Sequence, residues 1–321
     1  GLNATPNSTP DDADQIGAWF GWSVASAGDV NGDGYSDVII GAYGYDDGAN
    51  MNEGRAFVYH GSATGLSLIP NSSPDDADQA EAYFGSSVAS AGDVNGDGYS
   101  DVIIGAYRYD DGANTDEGRA FVTTGVATGL SATPNSTPDD ADQAGAFFGY
   151  SVASAGDVNG DGYSDVIIGA ANYNDNYSFE GVAFIYHGSV TGLSASPNSS
   201  PDDANQGTAF FGASVASAGD VNGDEYSDVI IGAYTFDDGA NIDEGRVFVY
   251  HGSASGLSAT PNSIPDDANQ PYAYFGWSVA GAGDVNGDGY SDVIIGAPAY
   301  TDGANTGEGR AFVYYGSASG L

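Results

Sequence analysis

Short apolar runs alternate with breaks rich in Gly, Asp, Asn and Pro along the whole chain. One unit shows the order. The turn segment Pro134-Asn-Ser-Thr-Pro138-Asp-Asp-Ala-Asp142-Gln leads to the aromatic pair Phe147-Phe148 and Gly149. Then come Ser151-Val-Ala-Ser-Ala-Gly156, an acidic loop, and Asp165-Val-Ile-Ile-Gly-Ala170. A second acidic loop precedes Ala183-Phe-Ile-Tyr-His187, and Ser189-Val-Thr-Gly-Leu193 closes the unit. Runs this short, rich in Val, Ile, Phe and Tyr, predict strands. The Val-Ile-Ile run does not alternate with polar residues, which predicts a strand covered on both faces. No segment carries a helical period, and 50 glycines oppose long helices.

The unit recurs. Its acidic loop, Asp29-Val-Asn31-Gly-Asp33-Gly-Tyr-Ser-Asp37, returns at offsets of 64, 64, 63 and 64 residues. A fixed period of this length means stacked copies of one supersecondary unit rather than independent domains. Each copy predicts four strands, the fourth near Leu-Ser-Ala-Thr-Pro-Asn, where prolines such as Pro6 and Pro10 fit only an outer edge. The fold class is therefore all-β: a five-bladed β-propeller of four-stranded antiparallel blades, forming a single domain over residues 1–321. The blades span about 15–73, 79–137, 143–200, 206–264 and 270–321, the last completed by residues 1–9. That N-terminal segment supplies the outer strand missing from blade five, which closes a monomeric ring and removes an open edge.

The acidic loops carry the clearest chemistry. Hard oxygen donors at alternate positions of a glycine-rich turn suit a calcium ion, which takes about six to eight oxygens. The predicted ligands of the first loop are Asp29, Asn31, Asp33, the carbonyl of Tyr35 and Asp37. Their copies are Asp93, Asn95, Asp97, Tyr99 and Asp101, then Asp157, Asn159, Asp161, Tyr163 and Asp165. Asp220, Asn222, Asp224, Tyr226 and Asp228 follow, then Asp284, Asn286, Asp288, Tyr290 and Asp292. An EF-hand is excluded, since position 12 is Ile40, inside a strand, where that motif needs Glu. Magnesium prefers fewer protein ligands. A metal-free Asx turn is the competing reading, but three carboxylates converging in one short loop repel without a cation. Blade four has Glu225 where the other copies have Gly, so its site is expected to be the weakest if that position needs a positive φ.

Charge narrows the partners. Asp and Glu number 45 against five arginines, for a formal net charge of −40. Nucleic acid is excluded as a partner for want of cationic side chains, and anionic membrane surfaces are disfavoured. No run of 18 apolar residues is present, so membrane insertion by a helix is not expected. Five calcium ions would take −40 to −30. The absence of cysteine excludes disulfides and thiol chemistry. With no initiator Met and no signal-like segment at Gly1, the chain reads as a mature, excised or built piece of something longer.

Each unit also carries Phe-Gly, at Phe20-Gly21, Phe84-Gly85, Phe148-Gly149, Phe211-Gly212 and Phe275-Gly276. Each then carries the Asp-x-Asn-x-Asp-Gly-x-x-Asp loop, or one variant of it, and Ile-Gly-Ala. Gly-Ala-Pro itself stands at Gly296-Ala297-Pro298. This pattern resembles the FG-GAP repeat of integrin α-subunit propellers and their bacterial relatives, over essentially the whole chain. The resemblance implies a calcium-binding propeller, extracellular or at the cell surface, in adhesion or ligand recognition. Propellers of that family usually have seven blades.

The face opposite the calcium loops collects Tyr43-Gly-Tyr45-Asp46-Asp47-Gly and Pro10-Asp11-Asp12-Ala-Asp14-Gln, with their copies. Aromatics beside carboxylates suit contact with a protein or glycan ligand, although the same residues serve equally to fill blade gaps and cap turns. Arg55, Arg119, Arg246 and Arg310 share one repeat slot and read as partners of nearby carboxylates. His60, His187 and His251 share another and read as structural. No nucleophile–base set is present. The main reading is a non-enzymatic recognition or adhesion module. The alternative is a purely architectural ring, designed, reconstructed or recently amplified. A polysaccharide-active enzyme using paired carboxylates comes third.

Overall fold

The computed structural model describes residues 5–266 and 268–321. Among them there is no helix, and five three-stranded antiparallel sheets follow one another in chain order. Their first strands are Ser23–Gly28, Ser87–Gly92, Phe148–Gly156, Ser214–Gly219 and Ser278–Gly283. Central strands are Asp37–Ala42, Asp101–Ala106, Asp165–Ala170, Asp228–Ala233 and Asp292–Ala297. Third strands are Arg55–Tyr59, Arg119–Thr123, Val182–Tyr186, Arg246–Tyr250 and Arg310–Tyr314. In every blade the register of the first strand shifts just before the acidic loop, as between Ser26 and Gly28 and between Ser154 and Gly156.

Adjacent sheets stack face to face, and the core lies between them. Ile103 packs with Phe148, Val152 and Ile168 of blade three, whereas its neighbour Ile104 packs with Val30, Ile39 and Val58 of blade one. This accounts for the unbroken Val-Ile-Ile run, since both faces of each interior central strand are covered. The sheets can stack this closely because glycine meets glycine at each junction. A Cβ on Gly41 would lie 1.9 Å from the carbonyl oxygen of Gly85 in the next blade, and one on Gly105 would lie 2.1 Å from that of Gly149. Gly85 itself has φ +80, which glycine adopts without strain. Beside it Phe84 N–H donates to the carbonyl of Glu53 at 2.7 Å, so the Phe-Gly dipeptide is bonded to the preceding blade through its backbone.

One expectation is corrected, and another is not met among the described residues. The fourth strand is reduced to a single bridge in each of the first four blades, such as Val58 to Ser72 and Val122 to Ser136. Ala56 N–H donates to Pro74 O and Val58 N–H to Ser72 O, but Pro74 has no N–H to return a bond, and the ladder stops. The expected closed ring is also not formed among the described residues. Residues 1–4 lie outside them, and residues 5–9 make no backbone bond to Arg310–Tyr314. A Cβ on Gly283 or Gly287 would meet nothing within 4 Å, whereas the equivalent Gly28 and Gly32 face Ser100 and Tyr99 of the next blade.

The glycine junction predicts a position-dependent cost. Gly105→Ala should destabilise the protein by about 3 kcal/mol or more, because backbone must move to admit the methyl group. Gly296→Ala, which faces only the flexible hydroxyl of Ser278, should cost less than about 1 kcal/mol. Chemical denaturation of the two variants decides; equal losses would refute the junction.

Candidate functional site

The loop between the first two strands is held by its own carboxylates. Asp29 accepts N–H bonds from Asp33 (3.0 Å) and Gly34 (2.8 Å), Asn31 Oδ1 accepts from Asp33 (2.9 Å), and Asp33 accepts from Tyr35 (3.0 Å). The other four loops repeat these bonds; in blade four Glu225 N–H donates to Asp220 at 2.8 Å. The loop tyrosine of one blade covers the loop of the blade before it. A Cβ on Gly32 would lie 2.7 Å from the Tyr99 ring, and Gly96 stands in the same relation to Tyr163.

The ninth position differs from the others. Asp37, Asp101, Asp165, Asp228 and Asp292 are fully buried. One oxygen of Asp37 accepts from Val30 N–H in the loop (2.9 Å), and the other from Gly61 N–H beyond the third strand (2.7 Å). The same pair of bonds holds in every blade. Burial pushes the carboxyls of Asp101, Asp165 and Asp228 up to about 7, against the pull of these N–H donors. The residue thus ties the loop to the end of the third strand.

The donor chemistry of the loops fits a hard cation, and a carboxylate oxygen that accepts one N–H keeps a lone pair for a metal. As they stand, however, the oxygens turn onto the loop's own N–H groups. Among the described residues no three His, Asp or Glu side chains converge as a metal-holding group.

The sixth position needs a left-handed backbone. Gly34, Gly98, Gly162 and Gly289 have φ between +88 and +94, and Glu225 is held at +75. The strain expected of blade four is therefore present.

The opposite face divides the aromatic residues into two roles. Tyr45 supports the fold: Arg55 lies 4.4 Å above its ring and pairs with Asp47 and Asp75. Arg119, Arg246 and Arg310 stack in the same way on Tyr109, Phe236 and Tyr300 and pair with carboxylates, as the sequence predicts. Asp75 belongs to the turn that carries the bridged segment, so the arginine clamps that segment to the third strand. The histidine slot is also structural, with His60 Nδ1 3.2 Å from Asn31 Nδ2.

Tyr43 instead lines a cavity of about 320 Å³ with Trp22, Ser86, Tyr107 and Tyr150. Trp22 precedes a first strand and Tyr43 follows a central one, so both stand at the sheet end away from the acidic loop. Their rings lie 5.0 Å apart, and Tyr107 and Tyr150 lie 5.5 Å apart. A second hollow of about 190 Å³ shares Tyr150 and adds Ala213, Tyr234 and Trp277. Sequence reasoning missed the slot after each Phe-Gly, which holds Trp22, Ser86, Tyr150, Ala213 and Trp277. Its exposed aromatics were the available signal. It also missed Glu53, Glu117, Glu180 and Glu244, all buried at the junctions. Burial raises the first three above the usual carboxylate range.

The family model for the FG-GAP repeat matches residues 20–59, 84–122, 148–186, 211–250 and 275–314. The chain belongs to the FG-GAP repeat family. It is 34% identical to integrin alpha-V of Gallus gallus over 229 residues, covering 70% of this chain and 21% of that protein. It is 33% identical to integrin alpha-5 of Xenopus laevis over 252 residues, covering 76% and 22%. The FG-GAP chain thus spans about a fifth of the length of these relatives. A solved rhamnogalacturonan lyase superimposes with a TM-score of 0.40 at 14% identity, over 89% of this chain and 59% of that one. A likeness that loose bears on neither fold nor function.

Strain at the fourth FG-GAP loop gives a direct test. Glu225→Gly should stabilise the protein by about 1 kcal/mol, read as a higher denaturation midpoint with an unchanged slope. A loss of stability would show that the side chain outweighs its backbone.

Proposed function

We propose that this chain is a non-enzymatic, calcium-stabilised propeller module that recognises a ligand at the cell surface or outside the cell. The observation that carries this reading is the aromatic cavity of about 320 Å³ on the face away from the acidic loops. Its lining offers broad apolar rings with Trp and Tyr polar groups beside them, a composition that gives contact area and orientation together. Kinship with integrin alpha subunits supports a protein ligand over a glycan.

In this reading the acidic loops are fasteners. Asp29, Asn31, Asp33, Asp37 and the carbonyl of Tyr35, with their copies, would hold one calcium ion per loop. The ion would supply positive charge where several carboxylates crowd within nine residues of a chain of net charge −40. The five Asp-x-Asn-x-Asp sets, all hard oxygen donors, support this assignment.

Two measurements check the proposal separately. Removal of calcium with a chelator should lower the melting temperature sharply, since each site filled at a hundredfold excess over its Kd adds about 2.7 kcal/mol. An unchanged melt would overturn the metal assignment. Trp22→Ala and Tyr150→Ala should each weaken binding to an array-identified protein ligand by about 2 kcal/mol, with the calcium-dependent melt intact. No saturable binding to matrix or cell-surface proteins would leave only an architectural role.

A further inference from the structure

We propose that Arg108 pairs with a carboxylate of the ligand that enters the aromatic cavity, so that this face selects a protein segment presenting an acidic group beside an apolar one. The assignment rests on that cavity being a recognition site and adds the ligand's charge. The chain holds five arginines against 45 acidic residues. Four of the five, Arg55, Arg119, Arg246 and Arg310, stand in the clamp slot, and each pairs with a carboxylate. Arg108 is the fifth. Among the described residues it has no carboxylate within ion-pair distance.

Aromatic rings, not counter-charges, hold Arg108 in place. Its guanidinium carbon lies 5.3 Å from the centre of the Tyr83 ring, 5.8 Å from that of Phe147 and 5.9 Å from that of Tyr107. Its backbone N–H donates to Ala82 O at 3.3 Å. Ring faces attract a guanidinium, but its planar fork of N–H donors is matched by the two oxygens of a carboxylate. The side chain is half-buried, so part of that fork meets solvent. Tyr107 joins the arginine to the cavity. Its ring lines the hollow beside Trp22, Tyr43, Ser86 and Tyr150. Burial raises the Tyr107 phenol, while the charge of Arg108 and a side-chain hydrogen bond with it pull the phenol back. A ligand seated against Tyr107 therefore sits beside a cation that no side chain neutralises among the described residues.

The repeat itself does not call for this charge. The equivalent positions hold Gly44, Asn172, Thr235 and Ala299. The Thr235 hydroxyl donates within the chain, to Thr208 O at 2.6 Å. A half-buried cation that makes no joint loses hydration without a counter-ion, and a ligand carboxylate offsets that loss with charge-assisted bonds. The net charge of −40 narrows the class further. A phosphate, carrying close to two negative charges at neutral pH, is repelled more strongly by that field than a single carboxylate. The apolar rings around the charge select a carboxylate with an apolar neighbour over a free small acid.

Titration of the 321-residue chain with three small probes, followed by ligand-observed NMR, tests this. N-acetylphenylalanine carries a terminal carboxylate, N-acetyl-Phe-Asp-amide carries a side-chain one, and N-acetylphenylalanine amide carries none. At least one charged probe should bind about tenfold tighter than the uncharged amide. Preference for the first places the ligand's carboxylate at a chain end; preference for the second places it on a side chain. Arg108→Met keeps an apolar stem among the rings and should erase the difference, whereas Arg108→Lys keeps the charge and should retain part of it. Should Arg108→Met lose the wild-type circular dichroism spectrum, Arg108→Gln takes its place. If the amide binds and the charged probes bind no tighter, the pairing is overturned and the cavity remains a recognition site. A preference that survives loss of the arginine also overturns the pairing. Failure of all three probes to bind overturns the pairing and the cavity reading together.

Discussion

The architecture depends on one close approach, the crossing of glycine backbones between neighbouring blades. Gly41 and Gly85 touch where the central strand of one blade meets the Phe-Gly of the next, with no room for a methyl group. That contact sets the sheet spacing, and the spacing decides which side chains fit. It lets Ile39 of one blade and Ile104 of the next share a core, and it brings Phe84 within 2.7 Å of the Glu53 carbonyl. The two sequence signatures of the repeat, Phe-Gly and Ile-Gly-Ala, are therefore the two sides of one junction. Neither does anything for an isolated blade. A unit whose apolar strand is open on both faces has no stable existence alone, which is the ordinary condition of a repeat protein.

How much of this was legible follows from the same point. Fifteen principal strands, in three per repeat, could be read because each is a short apolar run closed by Gly or Asp. The need for a positive φ at the sixth loop position could be read from four glycines and one glutamate at that slot. The fourth strand was over-read. Its segment has the right length and place, but Pro74 and its copies withhold the N–H that a ladder needs, so a single bridge remains. Ring closure was not legible for a different reason. Repeat counting shows that residues 1–9 match an outer segment, yet it carries no information on curvature, and curvature decides whether the first and last blades meet. The buried glutamate slot was hidden because Glu53 looks like any other acidic residue of a very acidic chain. Only the junction shows that it is enclosed.

The acidic loop looks like a site and behaves first as a joint. Its ninth residue could have been an outward ligand. Instead Asp37 is buried, with one oxygen on Val30 N–H and the other on Gly61 N–H, so a single carboxylate bonds the loop to the segment beyond the third strand. This explains why the loop sequence recurs unchanged at that position in every blade, whatever happens at position six. A cation bound by the remaining oxygens would add to a joint already made by backbone hydrogen bonds. The fastening and the metal chemistry are thus separable in principle, the first fixed by geometry and the second by charge.

The opposite face follows another logic. At the loops the blades repeat the same residues, Glu225 apart, because the same joint must be made each time. At the slot after Phe-Gly the residues are Trp, Ser, Tyr, Ala and Trp, and at Tyr43 and its copies they are Tyr, Tyr, Ala, Tyr and Pro. Ring contacts such as Tyr43 with Tyr83 and Tyr107 with Tyr150 cross the junctions here, yet the residue type is not repeated, so each blade presents a different group on this face. Large rings in some blades and small residues in others leave a hollow instead of a filled plug, with Ser86 and Ala213 providing the gaps. A structure built from near-identical units can discriminate among ligands only where its units differ, and in this chain they differ where the aromatic cavity opens.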